Sequence, residues 1–207
     1  GTVDKYIGDA IMAFWGAPDP SDRHARLACE AAVRQIEALA RMQQEWKKQG
    51  KPHLRFRIGI NSGEAVVGNM GSRTRFNYTA MGDVVNLASR LEGAAKNYGT
   101  ASLIGEATVR AASGEFEFRK LDRLRVKGKT QAVEVFELLG RKGEVPAPAL
   151  VARDAFERAL EAYFARQWDV AEEQLRHAES LRPGDGAVAA YRERIAELRS
   201  RPPADGW

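Results

Sequence analysis

Residues 79–90, TAMGDVVNLASR, combine a Gly-Asp turn with the start of an amphipathic helix. After the turn, apolar residues follow helical periodicity at Val85, Leu87, Ala88 and Leu91. Asn86 and Arg90 lie four positions apart, so they share one face of the predicted helix. An amide and a guanidinium near a helix start, where backbone N–H groups favour anions, suit a phosphate or ribose ligand. The alternative is a surface helix whose polar face binds nothing.

The N-terminal segment is predicted to form a β-hairpin. Its sequence, VDKYIGDAIMAFW at residues 3–15, places a tight Gly8-Asp9 turn between two strands. Asp9 at a hairpin tip is usually a turn former, because its side chain bonds nearby backbone. An exposed turn carboxylate beside a strand lysine can also hold a hard cation near a phosphate.

Length and composition describe an ordinary globular chain with an appendage. It has 207 residues, of which 44% are hydrophobic and 29% charged. The net charge of +4 is weak evidence for a nucleic-acid partner and fits a small polyanionic substrate. The single cysteine, Cys29, excludes an internal disulfide and is consistent with a reducing cytoplasm. No apolar run approaches membrane-spanning length.

A long helix is predicted after the N-terminal hairpin. Residues 16–21, GAPDPS, break the chain, and Ser21 or Asp22 is expected to cap the helix that follows. The helix should run to about Gln49, where Gly50 fits a C-terminal stop.

Strands and a loop should lie between this helix and residues 79–90. Residues 54–60 alternate apolar and basic side chains, which predicts a strand with one buried face. A strand at 65–67 should lead into a glycine-bearing loop at 68–73. The loop is either an ordinary hairpin connection or a phosphate-binding turn to which Arg73 or Arg75 adds charge.

The C-terminal half alternates strands and helices and ends in a helical tail. The predicted strands are 102–104, 116–119, 121–126 and 132–138, and the predicted helices are 106–112, 151–166, 168–181 and 187–199. Trp168, Ala171, Ala178 and Pro183 resemble one tetratricopeptide-type helix pair. One repeat cannot bury its own apolar face, so the tail should pack on the preceding domain or on a partner protein.

Four ordered sequence blocks carry a resemblance to a known family. They are DKYIGDAIMAFWG at 4–16, RIGINSGEAVVGNMGS at 57–72, YTAMGDVVNLASRLE at 78–92 and LDRLRVKGK at 121–129. Together they resemble the class III nucleotidyl cyclase catalytic domain, nearest to bacterial adenylate cyclases that follow a sensory and transmembrane region.

The resemblance implies an α+β fold, a ferredoxin-like antiparallel sheet with helices. It covers residues 1–140, and a linker at 141–150 and the tail at 151–201 follow. The family's first strand, with its Phe-x-Asp motif, is not in the sequence, and residue 1 is not Met. The chain is therefore expected to be a piece of a longer protein. The cytoplasm is the expected location, or its membrane face if an upstream region spans the membrane.

The implied reaction converts ATP to 3′,5′-cyclic AMP and pyrophosphate. The ribose 3′-hydroxyl attacks the α-phosphate with the help of two Mg²⁺ or Mn²⁺ ions. Asp9 matches the second of two metal-binding aspartates in the family. Because the first aspartate belongs to the absent motif, the 207-residue chain is expected to be inactive alone.

The resemblance also assigns substrate contacts. Lys5 matches the lysine on adenine N1, and Thr79 matches the residue that faces the adenine amino group. Asn86 matches the residue that orients ribose, and Arg90 matches the arginine that stabilises charge on the reacting phosphate. The lysines that match a terminal-phosphate contact are Lys127 and Lys129, of which Lys127 is slightly favoured.

The family's site lies between two protomers, which implies a homodimer with two equivalent sites. Asp9 and the loop arginine would come from one protomer and the other site residues from its partner. Three alternatives remain: a guanylate cyclase, a non-catalytic cyclase-like module that binds nucleotide or a regulatory partner, and a tetratricopeptide scaffold. Lys5 and Thr79 argue against the first, since guanylate cyclases generally place Glu and a small residue there.

Overall fold

The structure is a computed structural model, which describes residues 1–72, 75–125 and 132–201. In chain order, the elements are β1 (Thr2–Ile7), β2 (Ala10–Phe14), α1 (His24–Lys48), β3 (Ile58–Ile60), β4 (Val66–Ser72), β5 (Arg75–Met81), α2 (Asp83–Ala94), β6 (Ser102–Gly105), α3 (Glu106–Ala112), β7 (Phe116–Arg125), β8 (Ala132–Arg141), α4 (Ala147–Phe164), α5 (Trp168–Leu181) and α6 (Gly186–Ser200). A single 3₁₀ turn, Ala95–Tyr98, extends α2.

The strands form three sheets. A four-stranded sheet has the order β3-β6-β8-β7, while β1–β2 and β4–β5 are separate antiparallel hairpins. The β3–β6 pair is parallel because the chain crosses over through α2, and the other pairs of this sheet are antiparallel. The predicted α+β architecture is confirmed, with one parallel pair within it.

Two hydrophobic clusters stabilise the fold. One lies under α1 and α3 and includes Cys29, Ile104 and Phe116. The other joins α2 and the sheet to the helical tail, and it includes Leu91, Tyr98 and Leu121 together with Phe156, Leu175, Tyr191 and Ile195. The tail therefore packs on the preceding domain, which is one of the two outcomes expected for it.

Buried polar contacts fix the tail on the sheet. Arg119 of β7 is 2% exposed and lies between Glu137 of β8, at 2.6 Å, and Asp185 at the start of α6. The Asp185 side chain also accepts hydrogen bonds from the N–H groups of Ala187 and Val188, so it caps α6. The Tyr191 hydroxyl donates to the carbonyl of Leu121 at 2.8 Å.

Several predicted boundaries need correction. Helix α1 begins at His24, and neither Ser21 nor Asp22 caps it; Ser21 Oγ accepts a hydrogen bond from Arg23 N instead. The strand predicted at 54–60 is present only at Ile58–Ile60, because β6 offers partners to those three residues alone. The helix α4 starts at Ala147, inside the stretch predicted as a linker.

The predicted loop at 68–73 is also wrong over its described part. Residues up to Ser72 belong to β4, and each residue from Val66 to Ser72 has a partner on β5. Glycines at 68 and 71 indicated a loop, but cross-strand pairing outweighed their weak strand preference.

Candidate active site

Lys5 and Thr79, which are 74 positions apart, meet in the structure. Lys5 Nζ on β1 donates a hydrogen bond to Thr79 Oγ1 on β5 at 3.1 Å. Thr79 is buried, and the Lys5 side chain is 39% exposed, so the pair forms a partly open polar spot between two hairpins. The family resemblance assigns adenine recognition to this pair.

Asp4 completes the cluster and was not predicted from sequence. The Thr79 hydroxyl donates to Asp4 Oδ2, and Ala80 N donates to the same oxygen at 3.4 Å. Asp4 Oδ1 lies 3.3 Å from Lys5 Nζ. The carboxylate has no exposed surface. Burial raises its pKa, but the hydrogen bonds from Thr79 and Ala80 and the nearby Lys5 ammonium outweigh burial and hold the pKa below its ordinary value.

A β-bulge explains how two adjacent residues reach the same partner. Successive side chains of a regular strand point to opposite faces. In β1 the register shifts between Val3, which pairs with Ala13, and Lys5, which pairs with Met12. Asp4 is thus the extra residue of a bulge, a feature that redirects side chains locally. The alternating pattern of a sequence gives no indication of such an extra residue.

The helix α2 presents Asn86 and Arg90 on its exposed side, as its periodicity predicted. Gly59 of β3 allows the helix to lie directly on the sheet, because a Cβ there would come within 2.0 Å of the Ala88 carbonyl oxygen. Gly82, with φ of 142°, precedes the helix, and its carbonyl accepts the Asn86 N–H at 3.2 Å. The turn and the sheet contact therefore fix the position of α2.

A polar cavity of about 410 Å³ opens beside the start of α2. Its lining includes Asn61, Glu64, Asp83 and Arg110, and none of the predicted site residues within the described part of the chain. The cavity is therefore separate from the Lys5–Thr79 cluster.

Asp9 lies exposed in the β1–β2 turn, where Gly8 has φ of 63°. The described ranges contain no group of three or more His, Cys, Asp or Glu residues arranged to hold a metal ion. Arg73, Lys127 and Lys129 lie outside the described residues, as does the side chain of Arg75, whose backbone begins β5.

Comparison with known proteins gives the family. The profile of the adenylate and guanylate cyclase catalytic domain matches residues 4–140, so the chain belongs to the class III cyclase family. Adenylate cyclase 1 of Rhizobium meliloti is 41% identical over 140 residues, which cover 68% of this chain and 21% of that protein. The terminal-differentiation-specific adenylate cyclase of Dictyostelium discoideum is 30% identical over 201 residues, covering 95% of this chain and 9% of that protein.

Solved structures agree with this assignment. The guanylyl cyclase Cya2 superposes with a TM-score of 0.58 at 31% identity, covering 70% of this chain and 72% of that one. The adenylyl cyclase CyaB of P. aeruginosa gives a TM-score of 0.57 at 32% identity, covering 70% of this chain and 75% of that one.

The chain spans about a fifth of the length of the Rhizobium relative. None of the helices in the described ranges is both long and apolar enough to cross a bilayer.

Proposed function

We propose that this chain is the catalytic domain of an adenylate cyclase, which forms 3′,5′-cyclic AMP and pyrophosphate from ATP. The observation that carries the proposal is the hydrogen bond from Lys5 Nζ to Thr79 Oγ1. It brings together the two residues that the family resemblance assigns to the adenine base. The relatives in Rhizobium meliloti and Anabaena cylindrica, both named adenylate cyclases, support the choice of ATP.

The remaining roles follow the resemblance. Asn86 would orient the ribose, and Arg90 would neutralise charge on the reacting phosphate, an electrostatic role that needs a fixed position. The contact of α2 with β3 at Gly59 supplies that fixed position. Arg73 or Arg75, with Lys127 or Lys129, would contact the phosphates.

The described residues alone do not provide enough ligands for the two Mg²⁺ or Mn²⁺ ions expected for the family. Mg²⁺ takes six oxygen ligands, usually from one or two carboxylates, substrate phosphates and water, and two such ions need more than one carboxylate between them. Asp9 offers one exposed carboxylate, and no acidic cluster surrounds it in the described ranges. We therefore propose that Asp9 contributes one metal ligand and that the 207-residue chain alone does not turn over ATP.

A second copy of the chain is the proposed partner. The two hairpins expose large apolar side chains, namely Val3, Tyr6, Ile7 and Ile11 on one and Val66, Phe76 and Met81 on the other. Large exposed apolar side chains are typical of interaction sites when a partner covers them. A homodimer would cover it and would complete each site from both protomers.

The base assignment is tested by calorimetric titration of the chain with ATP and with GTP. In the double variant Lys5→Glu, Thr79→Cys, the ratio of ATP affinity to GTP affinity should fall at least about tenfold. The reason is that hydrogen bonds to charged groups contribute strongly to binding free energy. Lys51→Glu, at an exposed position, is the control and should leave the ratio unchanged. An unaltered ratio in the double variant would reject the assignment.

Guanylate cyclase is the second candidate, because the structure of the guanylyl cyclase Cya2 is as similar to this chain as that of CyaB. Tighter binding of GTP than of ATP by the unmodified chain would favour it.

The proposed inactivity has its own assay. The purified chain should make no cyclic AMP from Mg·ATP or Mn·ATP. Protein-dependent turnover would show that the chain's own residues complete the metal site.

A further inference from the structure

Asp4 is a buried carboxylate in contact with the two residues proposed to recognise adenine. It is the bulged residue of β1, and its side chain has no exposed surface. It contacts both Lys5 and Thr79. Its Oδ1 has no hydrogen-bond partner among the described residues and faces Lys5 Nζ at 3.3 Å. Burying a carboxylate costs free energy unless charged or polar partners compensate.

The chemistry of the three groups fixes the direction of every hydrogen bond in the cluster. An ionised carboxylate only accepts, an ammonium only donates, and a hydroxyl has one proton and two acceptor lone pairs. The single proton of the Thr79 hydroxyl is therefore directed to Asp4, and one of its lone pairs accepts from Lys5. The hydroxyl has only one acceptor lone pair left for a ligand.

We propose that Asp4 is a positioning residue for base specificity, which holds the Thr79 hydroxyl as a hydrogen-bond acceptor and so selects purines with an amino group at C6. The proposal deepens the adenylate cyclase assignment and rests on it.

The two purines differ at the atoms that this cluster would meet. Adenine has a donor amino group at C6 and an acceptor at N1, which complement the Thr79 lone pair and the free N–H groups of Lys5. Guanine has an acceptor oxygen at C6 and a donor at N1. If the hydroxyl could turn round, it would donate to the guanine oxygen. Asp4 prevents this, because it already holds the proton.

The test compares two substitutions of Asp4 that differ in acceptor capacity. Asp4→Leu has a similar shape but no acceptor, so the Thr79 hydroxyl becomes free to donate to a ligand. Asp4→Asn keeps one oxygen that can accept from the hydroxyl. In titrations of the full chain with ATP and GTP, we expect Asp4→Leu to reduce the ATP:GTP affinity ratio about tenfold and Asp4→Asn to change it much less.

A double variant tests whether Asp4 acts through Thr79. Thr79→Val removes the hydroxyl, so adding Asp4→Leu to it should cause no further change in the ratio. Thr79→Ser restores a hydroxyl and should restore the preference for ATP. If Asp4→Leu does not fold, Asp4→Ser replaces it, because a serine hydroxyl can donate or accept and also releases the fixed direction.

The outcomes separate the two proposals. If the unmodified chain binds neither nucleotide, or binds GTP as tightly as ATP, the adenylate cyclase assignment fails and the role of Asp4 fails with it. If the unmodified chain prefers ATP and Asp4→Leu, or Asp4→Ser in its place, keeps that preference, only the role of Asp4 is overturned. If Asp4 had only a structural role, its replacement would weaken the binding of ATP and of GTP equally. The ratio of the two affinities would then stay unchanged.

Discussion

Cys29 is completely enclosed between α1 and the sheet. Burial raises the pKa of its thiol from 9.0 to about 12, so almost no thiolate is present near neutral pH. We expect the native chain at pH 8 to be unreactive toward a chromogenic disulfide reagent. The same chain in urea should release one equivalent of chromophore. Rapid reaction without denaturant would show that this part of the core opens readily.

The bond between Glu30 on α1 and Arg141 at the end of β8 makes stability depend on pH. Arg141 donates to both carboxylate oxygens, at 2.8 and 2.9 Å. Hydrogen bonds from Arg141 and then Arg34 lower the pKa of Glu30 from 4.5 to about 2. Because the pKa is lower in the folded state, the ion pair stabilises the fold when the pH is above the pKa of Glu30 in the unfolded chain. This contribution is lost as the pH falls from about 4.5 toward 2.

Glu30→Gln should therefore flatten the dependence of the free energy of unfolding on pH between about 4.5 and 2. Urea titrations at a series of pH values measure this slope. Glu45→Gln, at an exposed position of the same helix, is the control and should leave the slope unchanged. Equal slopes for Glu30→Gln and the unmodified chain would show that the ion pair is absent in solution.

At the scale of single residues, the sequence predicts those site residues that lie within continuous sequence motifs. Lys5 and Thr79 were identified from the motifs around them, and the structure brings them together. Asp4 was missed because its importance depends on a one-residue bulge and on a hydroxyl from a distant strand. Neither produces a periodic pattern that could be recognised along the chain.

Among the elements, the contact between α6 and the β7–β8 pair depends on buried charge. Arg119 has its guanidinium between Glu137 and Asp185, and its Cζ lies 4.7 Å from the centre of the Phe156 ring. Removing one member of such a buried network leaves uncompensated charges in a low-dielectric site. The sheet and the helical tail are therefore linked by an interaction that tolerates little change.

Arg119→Ala should lower the free energy of unfolding by about 3–5 kcal/mol, because it removes the buried cation between Glu137 and Asp185 and leaves them to the half-exposed Arg182. Arg199→Ala is the matched control, since Arg199 pairs with Asp169, whose side chain is 94% exposed. An exposed pair of this kind contributes about 0–1 kcal/mol. Urea denaturation measures both variants. Similar small losses would mean that water reaches the Arg119 site.

The sequence predicts the helices and the short strand at 102–104 well, but not the glycine-containing strand β4. The short helix predicted at 106–112 is confirmed, whereas residues 68–72 of the loop predicted at 68–73 form part of a strand. Helix formation depends mainly on local contacts, whereas β4 exists because β5 pairs with it along its length. A single sequence read locally contains little of that information.

In the whole molecule, the tail and the cyclase domain share one hydrophobic core. Gly186 at the start of α6 lies so close to the main chain of Tyr98 that a Cβ there would come within 2.7 Å of its carbonyl oxygen. The similarity to the Dictyostelium relative, over 95% of this chain, extends into the tail as well. The match of the family profile ends at residue 140, but the packed unit does not.

A chain that ends at residue 146 should therefore fail to fold cooperatively. It exposes Tyr98 and the part of β7 around Leu121, which pack against the tail in the full chain. We expect strong binding of a hydrophobic dye and loss of a sharp thermal transition. A chain that ends at Arg201 keeps all of these contacts and should behave like the full chain. A sharp transition in the shorter chain would show that the tail is dispensable.

The proposed homodimer predicts complementation between two defective protomers. In a longer protein that supplies the first metal-binding aspartate, Asp9→Ala and Asn86→Ala should each abolish activity. Mixed dimers keep one site with all residues intact, so a mixture should regain up to about a quarter of the normal activity, as statistical assembly gives half of the dimers one intact site. Inactive mixtures in which heterodimers are demonstrated would contradict the shared site.

The bulge at Asp4 also has a consequence for how this segment can change during evolution. Substitutions within β1 alter one side chain at a time, but loss of a single residue there would remove the bulge and send adjacent side chains to opposite faces. The number of residues in β1 would then be conserved during evolution more strongly than the identity of most of them. Homologous genes should accordingly diverge here by point changes while keeping the length of the hairpin constant.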